Sequence, residues 1–285
     1  MIRRRHLTFA IVLSVVALPI AAFTSIEALL APKAELWERW TAQDPTSAAE
    51  IDHAAWGTLL ARYLRTDAAG VNRFDYAHVS ASDREALRSY VARLSGVAIS
   101  RYGRPEQLAY WINLYNALTV QVILDHQPVA SIRDIDISPG LFADGPWGTE
   151  LVAVEGQALT LNDIEHRILR PIWRDPRIHY AVNCASVGCP NLAAVPYRSA
   201  LLEPMLDDAA RDYVNNPRGA RVEDGRLIVS SIYVWFGDDF GGSNAAVIEH
   251  LRRYAEAPLR EMLRGKSAID GHAYDWSLNG AKGSS

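Results

Sequence analysis

Both cysteines of the chain lie in one short stretch, Ile178–Pro190, which also contains one of its eight histidines. A cysteine thiolate attacks carbonyl carbon atoms when a base takes its proton, so Cys184 is the candidate nucleophile and His179 the candidate base. The residues Ile178–Asn183 predict a buried strand with an apolar face and a second face that carries His179 and Asn183. His179 and Cys184 are five positions apart, which places them on opposite faces of a strand. Their side chains therefore meet only if the chain bends at Cys184.

Further polar residues are candidates for orienting the base or binding a ligand. The candidate orienting residues are Asn113, Asn116 and Glu165, and the candidate binding residues are Ser186, Cys189, Asp239 and Trp147. Asp239 is also a candidate for holding the imidazole, and His166 is an alternative base. The backbone amides of residues 185–188 are the candidate oxyanion hole, because a tight turn can direct several N–H groups at one atom.

Several of these residues also have a purely structural interpretation. Asn113 and Asn116 lie three apart, on one face of a helix, where buried amides can satisfy neighbouring backbone groups. Asn162 and Glu165 have the spacing of a capping box, in which Glu165 would serve the start of a helix. Both interpretations stay open at this point.

The two cysteines allow two alternatives to a nucleophile. Cys184 and Cys189 are an even pair, so they can form a disulfide in an exported protein, and such a small loop would gain about 2–3 kcal/mol. With His179 they offer three zinc-type ligands, but the spacing is wider than in most structural zinc sites and a fourth ligand is missing. We therefore predict no metal and no cofactor.

The N-terminus predicts export. Arg3, Arg4 and Arg5 precede the apolar run Leu7–Phe23, which is the pattern of a secretory signal or a short N-terminal anchor. We expect a periplasmic or envelope protein that contacts a membrane only through this segment if it stays uncleaved. The net charge of −4, which becomes more negative when the three arginines leave, argues against nucleic acid as a partner.

The remaining sequence predicts the elements that position these residues. The most apolar stretch, Glu106–His126, predicts a buried central helix, with Pro105 suited to its first turn. Further predicted helices are Ile51–Leu64, Ser82–Leu94 (with a capping box of Ser82 and Glu85), one near 160–170, 199–215 and Asn244–Leu263. Predicted strands are Val71–Tyr76, two hairpins turning at Glu155-Gly156 and Asp224-Gly225, and Ser230–Phe236.

This pattern predicts an α+β fold: a helix-rich single domain with a small, mostly antiparallel sheet packed on a buried central helix. We expect residues 1–31 to be the signal or anchor, 32–50 a linker with a possible short helix, 51–280 the domain and 281–285 a frayed tail. Residues 127–149, rich in Pro, Gly and Asp, are expected to be irregular and to cover a cleft.

Five separated motifs follow one another over Gln107–Asn279: YWINLYNALTV, LNDIEHRILR, DPRIHYAVNCASVGCP, WFGDDF and YDWSLN. In this order they resemble the DUF547 family of uncharacterised proteins. The resemblance implies an α+β core of cysteine-protease or transglutaminase type, and it supplies no activity. The family pattern usually has serine before its second cysteine, where this chain has Gly188. The matching family positions are Asn113, Asn116, Glu165, His179, Cys184, Ser186, Cys189, Pro190, Asp239, Phe240, Asp275, Trp276 and Asn279.

Two hypotheses of function follow. The first is a thiol enzyme in which Cys184 and His179 carry out acyl transfer or hydrolysis on a peptide-like or thiol-containing small molecule. The second is a non-catalytic envelope domain that binds a small molecule or peptide and contains a Cys184–Cys189 disulfide.

Overall fold

The computed structural model describes residues 31–139 and 144–281, and helices dominate these ranges. The α-helices, in chain order, are α1 (Ala54–Tyr63), α2 (Ala81–Ser95), α3 (Arg104–His126), α4 (Arg170–Trp173), α5 (Ile178–Ala181), α6 (Leu202–Asn215), α7 (Ile232–Trp235), α8 (Asn244–Tyr254) and α9 (Ala257–Met262). A π-helix, Asp163–Leu169, runs directly into α4. Short 3₁₀ helices are Glu38–Thr41, Tyr76–His78, Ile99–Arg101, Ile132–Asp134, Ser199–Leu201 and Gly237–Phe240.

The strands form three small sheets across the described residues. They are β1 (Leu64–Thr66) with β2 (Asn72–Phe74), β3 (Val152–Val154) with β4 (Gln157–Leu159), and β5 (Ala220–Glu223) with β6 (Arg226–Ser230) and β7 (Gly271–Ala273). All pairs are antiparallel except β6 with β7. The helix-rich α+β class is confirmed, but three separate sheets replace the single predicted one because strands of three to five residues cannot cover α3.

Helix α3 is the buried centre of the larger core, as predicted. It begins with Pro105 in its first turn, and Trp111 and Tyr115 in its middle are each 1% exposed. Burying a large apolar side chain contributes about 1.5–3 kcal/mol, so the buried residues of this helix stabilise the fold substantially. Ahead of α3 in the chain, Trp40 packs its ring edge-on against the ring of Trp111, with the ring centroids 5.1 Å apart.

The predicted strand Ile178–Asn183 is wrong, and the chain forms the short helix α5 there. Asp175 accepts from the amides of Arg177 and Ile178, which starts the helical turn directly after Pro176. Every residue from Ile178 to Asn183 is buried, so the alternation of His179 and Asn183 with apolar residues does not mark a solvent-facing side of a strand. The predicted division into an apolar and a polar face is therefore also wrong.

Two other predicted elements change at nearby turns. The strand Ser230–Phe236 ends with β6 at Ser230, because the Ser231 carbonyl accepts from Val234 and Trp235 and begins α7. The helix Asn244–Leu263 breaks between α8 and α9, where Ala255 and Glu256 are extended ahead of a proline in the first turn of α9. Both hairpins, at Glu155-Gly156 and Asp224-Gly225, are confirmed, with positive φ at all four turn residues.

Both predicted capping boxes lie two residues too late. Ser80 caps α2 by accepting from the Asp83 amide, in place of Ser82 with Glu85. Ahead of the π-helix, Thr160 and Asp163 exchange bonds between side chain and backbone amide, both 3.0 Å long. Glu165 therefore has no capping role and its carboxylate is available elsewhere.

The predicted signal or anchor falls almost entirely on residues 1–30, outside the described residues, as do residues 282–285 of the predicted tail. None of the helices in the described ranges is both long and apolar enough to cross a membrane. Residues 32–50, predicted as a linker, contact the domain directly. The Glu35 and Trp37 amides donate to the carbonyls of His166 and Arg167 in the π-helix.

Candidate functional site

A cavity of about 530 Å³ brings the predicted nucleophile and base onto one wall. Its polar lining includes Cys184, Cys189, His179, Glu165 and His166. Its apolar lining is mainly aromatic and is formed by Trp147, Trp235, Phe236, Tyr274 and Trp276. Cavities of this size hold small molecules, and a few polar groups on an aromatic wall are typical of ligand sites.

The Cys184 turn leaves helix α5 through Val182 and is held by the Asn183 side chain. Asn183 Oδ1 accepts from the Ala185 amide at 2.8 Å, and its Nδ2 donates to the Pro190 carbonyl at 2.6 Å. Ala185 has a φ of 58°, a left-handed backbone conformation that residues other than glycine rarely adopt. The Asn183 bonds stabilise this strained bend, which turns Cys184 into the cavity.

Three neutral side chains surround the half-buried Cys184 thiol. Its Sγ lies 2.9 Å from Cys189 Sγ, 3.2 Å from Ser186 Oγ and 3.0 Å from the Tyr274 hydroxyl. Burial alone would raise the pKa of Cys184. The hydrogen bonds of these three side chains, with one from the Ser186 amide, outweigh burial and lower the pKa below 9.0.

Cys189 is the buried partner and keeps its proton. Burial, together with the neighbouring Cys184, raises the pKa of Cys189 well above 9.0. Of the two thiols, Cys184 is therefore the one that ionises more readily, and Cys189 can then donate to its thiolate. Both cysteines are free thiols, so the disulfide that their even number allowed is not formed in this structure.

Three of the four amides predicted for a backbone oxyanion hole are occupied, because the turn uses them internally. The Ala185 amide donates to the Asn183 side chain, and those of Val187 and Gly188 donate to the carbonyls of Ser277 and Asp275, each at 2.8 Å. The remaining amide, of Ser186, faces the Cys184 sulfur. Residues 275–277 thus complete the turn as a neighbouring strand would.

His179 projects from α5 between two carboxylates. Its Nε2 is 2.7 Å from Asp239 Oδ2, and its Nδ1 is 3.8 Å from Glu165 Oε1. Its ring stacks on Phe236 at 4.6 Å and 11°. Because a carboxylate only accepts, Nε2 carries a proton, and in the neutral ring Nδ1 keeps its lone pair. The structure thereby assigns Nδ1 as the atom of His179 that can take a proton.

Arg170 fixes this arrangement from behind. Its buried guanidinium donates to Asp239 Oδ2 at 2.6 Å, to His166 Nδ1 at 2.9 Å and to the Pro32 carbonyl at 2.8 Å. Burial raises the pKa of Asp239, but the hydrogen bonds from His179 and Arg170 lower it more, so Asp239 is ionised. Burial and the nearby Arg170 lower the pKa of His166 to about 4, so His166 is neutral.

The π-helix brings Glu165 and His166 to the cavity from adjacent positions. Glu165 Oε2 accepts from the Tyr115 hydroxyl of α3 at 2.9 Å, which anchors the carboxylate. Its other oxygen, Oε1, lies 3.8 Å from His179 Nδ1 and 3.9 Å from His166 Nδ1. π-helical turns are rare and concentrate at functional sites, which fits the position of this one.

The two asparagines of α3 have the structural role and do not line the cavity. Asn113 makes two bonds to the Tyr197 backbone, at 2.8 and 3.0 Å. Asn116 donates to the Ala181 carbonyl at 2.9 Å and accepts from the Asn183 amide at 2.8 Å. Asn116 therefore connects the end of α5 to the beginning of the Cys184 turn.

The direct pairing of Cys184 with an imidazole is not formed. Among residues 31–139 and 144–281, no histidine or carboxylate is hydrogen-bonded to the Cys184 sulfur. His179 and Glu165 line the same cavity, Trp147 contributes to its aromatic part, and Ser186 contacts the thiol. Asp239 acts through His179 and lines a separate cavity of about 390 Å³.

Sequence reasoning missed Tyr274, Arg170 and Tyr115 as parts of the site. Tyr274 lies 90 residues after Cys184, and nothing in its local pattern points to the thiol. Its position in the terminal YDWSLN motif was the available signal. Over the ranges with described structure, no three His, Cys, Asp or Glu side chains are grouped as metal ligands.

Comparison with known proteins gives the family of this region. The family model described as "Protein of unknown function, DUF547" matches residues 99–214. The chain contains a DUF547 domain. This confirms the predicted family, and the matched range includes Glu165, His179 and both cysteines, while Asp239 and Tyr274 lie after it. Searches of curated proteins and of solved structures gave no match.

Proposed function

We propose that the DUF547 domain is a thiol-dependent enzyme that transfers or hydrolyses an acyl group in the 530 Å³ cavity. The supporting observation is the Cys184 thiol, whose pKa is lowered by neighbouring donors and which opens onto a cavity shared with an oriented imidazole. A thiolate formed without a paired histidine is still an activated nucleophile.

In the first half of the reaction, the Cys184 thiolate attacks the acyl carbon of the substrate. A sulfur–carbon bond forms, the carbonyl electrons move to oxygen, and the intermediate collapses with loss of an amine, alcohol or thiol. His179 Nδ1, which takes up the proton that Cys184 loses on ionising, gives it to the leaving group. The product of this half is a thioester on Cys184 and a neutral His179.

In the second half, water or another acceptor attacks the thioester carbon. His179 Nδ1 takes the proton of the attacking group, and Asp239 and Arg170 hold the ring through Nε2 and Oδ2. The sulfur–carbon bond breaks, which releases the acyl product and restores the Cys184 thiolate. Because the thiol and imidazole are not hydrogen-bonded to each other, the substrate or water lies between them.

The lining of the cavity selects the acyl group. Trp147, Trp235 and Trp276 offer apolar, planar surface, while Glu165 and the Cys184 thiolate place negative charge near the reacting carbon. A small peptide-like or thiol-containing acyl compound without an anionic group at its reacting end fits this environment.

The proposed similarity to cysteine proteases and transglutaminases concerns the thiol chemistry and not the scaffold. The buried helix α3 starts at Arg104-Pro105, and the nucleophile lies on a separate turn that Asn116 anchors. Shared chemistry on a different scaffold is common, so the analogy rests on the site.

Two measurements test the proposal. Thiol titration of the folded protein without reductant should find two thiols, and the rate of alkylation by iodoacetamide should show an apparent pKa below that of an unperturbed cysteine. Incubation with p-nitrophenyl acetate should release a burst of about one nitrophenolate per chain, absent in Cys184→Ala. An alkylation pKa above 9, or a burst that survives in Cys184→Ala, contradicts the proposal.

The second candidate is a ligand-binding domain with a Cys184–Cys189 disulfide. The separation of 2.9 Å between the two sulfur atoms favours it, since little movement separates the thiols from a bond. If this second function is right, thiol titration should find thiols only after reduction, and p-nitrophenyl acetate should give no burst.

We also propose that the protein is exported to the periplasm or cell envelope. The support is Arg3, Arg4 and Arg5 followed by the apolar run Leu7–Phe23. The mass of the chain recovered from the periplasmic fraction distinguishes a cleaved signal from a retained anchor, and recovery only from the cytosol contradicts export.

A further inference from the structure

We propose that the Tyr274 hydroxyl is a catalytic residue that stabilises the oxyanion of the tetrahedral intermediate. This inference rests on the proposed acyl-transfer function and adds to it a group that the mechanism above leaves open. The intermediate carries a negative oxygen on the carbon bound to Cys184, and such an oxygen needs a fixed donor.

The backbone of the turn offers no more than one such donor. The amides of Ala185, Val187 and Gly188 already donate at 2.8 Å to partners within the fold, and the Cys184 amide donates to Cys189 Sγ at 2.9 Å. Breaking these bonds would undo the turn that presents the thiol. The Ser186 amide, which faces the Cys184 sulfur, is the one left, so a side chain must supply the second donor of the oxyanion site.

Tyr274 is the side chain whose geometry suits the role. Its hydroxyl lies 3.0 Å from Cys184 Sγ, and it accepts from Ser186 Oγ at 3.0 Å. Because a thiolate only accepts hydrogen bonds, the phenol proton points toward the ionised Cys184 sulfur. The oxyanion forms one carbon atom away from that sulfur, within reach of the same proton.

The surroundings keep Tyr274 rigid and protonated. Its ring packs against Trp235 at 4.8 Å and Trp276 at 4.7 Å on the cavity wall. Burial, with the nearby thiolate, raises the pKa of Tyr274 well above 10, so it remains a donor. A rigid donor in an apolar wall loses little energy on reorganisation when charge develops.

The step needs no net proton transfer. In the resting site Tyr274 donates to the Cys184 thiolate. As the sulfur–carbon bond forms, the negative charge moves from sulfur to the carbonyl oxygen, and the phenol proton follows as a hydrogen bond. When the intermediate collapses, the carbonyl is restored and the leaving group departs as described above.

Two reactions of the same thiol separate this role from a mere effect on the thiolate. Iodoacetamide alkylation passes through no oxyanion, whereas acylation by p-nitrophenyl acetate does. Both limiting rates are measured for wild type and Tyr274→Phe at a pH high enough that Cys184 is fully ionised in each. We expect acylation to fall by about 10²–10³-fold and alkylation to change less than about threefold.

Ser186→Ala is the matched control, because it removes a hydroxyl bonded to the same sulfur but no proposed oxyanion donor. We expect its two limiting rates to change together, by less than about tenfold. If Tyr274→Phe also lowers both rates by one common factor, or leaves acylation unchanged, the oxyanion role is wrong.

A measurement on the wild-type chain covers the case in which Tyr274→Phe does not fold. O-p-nitrophenyl thionoacetate replaces the developing oxyanion by sulfur, a weaker hydrogen-bond acceptor. Relative to free cysteine, wild type should acylate with the thionoester at least about tenfold more slowly than with the ester. An equal ratio overturns the inference. A burst that does not need Cys184 overturns the proposed function itself, so the two failures are distinguishable.

Discussion

The thiol side and the imidazole side of the cavity are built in different ways. Cys184 is surrounded by neutral hydrogen-bonding groups, the Cys189 thiol and the hydroxyls of Ser186 and Tyr274. His179 is surrounded by charges, with Asp239 and Glu165 at its nitrogens and Arg170 behind Asp239. One side stabilises a negative sulfur locally, and the other holds a ring in one protonation pattern.

The difference teaches that ionisation of the thiol and proton transfer are assigned to separate groups. In a cysteine–histidine pair, loss of the histidine also removes the thiolate. Here the thiolate has its own donors, so the two functions should respond to different substitutions. The following predictions test that separation.

His179→Gln should have the largest effect. It removes the group that carries the proton, so turnover of an ester that needs deacylation should fall by about 10³-fold. The alkylation rate of Cys184 at neutral pH should stay within about threefold of wild type, since its donors are intact. His250→Gln, which removes a half-buried histidine bonded to Tyr180 away from the cavity, is the control. Loss of alkylation in His179→Gln would show that the two sides are coupled.

Asn116→Ala should loosen the connection between the sides. It leaves the Ala181 carbonyl and the Asn183 amide buried without a partner, which should lower the free energy of unfolding by about 2–4 kcal/mol. Asn113→Ala is matched, because it frees one carbonyl and one amide of Tyr197. Urea unfolding should give similar losses for both, while the alkylation pKa of Cys184 should move only in Asn116→Ala. A shift of that pKa in both variants contradicts this assignment.

The neutral state of His166 should make stability depend on pH. Its pKa is about 4 in the fold and near 6.5 when unfolded, so the unfolded chain binds the extra proton between these values. Stability is therefore lost as pH falls from 6.5 to 4, by up to about 1.4 kcal/mol per pH unit from this residue. Urea unfolding at several pH values should show a flatter dependence for His166→Gln.

His53→Gln is the companion variant, since burial lowers the pKa of His53 to about 4 at a site bonded to Tyr90. It should flatten the pH dependence by a similar amount and leave ester turnover unchanged. An unaltered slope in both variants would show that the two rings are not kept neutral by the fold.

Cys189→Ala should have the smallest effect and the most local one. It removes one of three side-chain donors to Cys184, so the alkylation pKa should rise by about one unit, or about 1.4 kcal/mol. Ester turnover above that pKa should be retained. If turnover is lost even at high pH, Cys189 takes part in the reaction rather than in stabilising the thiolate.

The sequence predicts those parts of the fold that depend on local signals. Helix α3 is found from its apolar run and Pro105, and both hairpins from turn residues that tolerate positive φ. The strand predicted at Ile178–Asn183 fails because its alternation of polar and apolar residues does not reflect exposure, since all six residues are buried. Tertiary surroundings decide its structure.

The candidate site is predicted in its residue types but not in its connections. Cys184, His179 and Glu165 do line one cavity, yet their hydrogen-bond partners come from distant parts of the chain. Tyr274 and Arg170 could not be found locally, because they meet the site only after β7 and the π-helix are packed. Amide use in the turn was also hidden, since the acceptors of Val187 and Gly188 lie in residues 275–277.

The first described residues, Ala31 and Pro32, lie at the cavity, and this affects any group attached to the chain before them. Ala31 and Pro32 line the cavity, and Pro32 is held by Arg170. A peptide, tag or lipid joined through a flexible link ahead of Ala31 is therefore tethered at the cavity wall. Its local concentration there is on the order of millimolar, whatever its concentration in solution. A group attached ahead of Ala31 therefore meets Cys184 more often than the same group free in dilute solution.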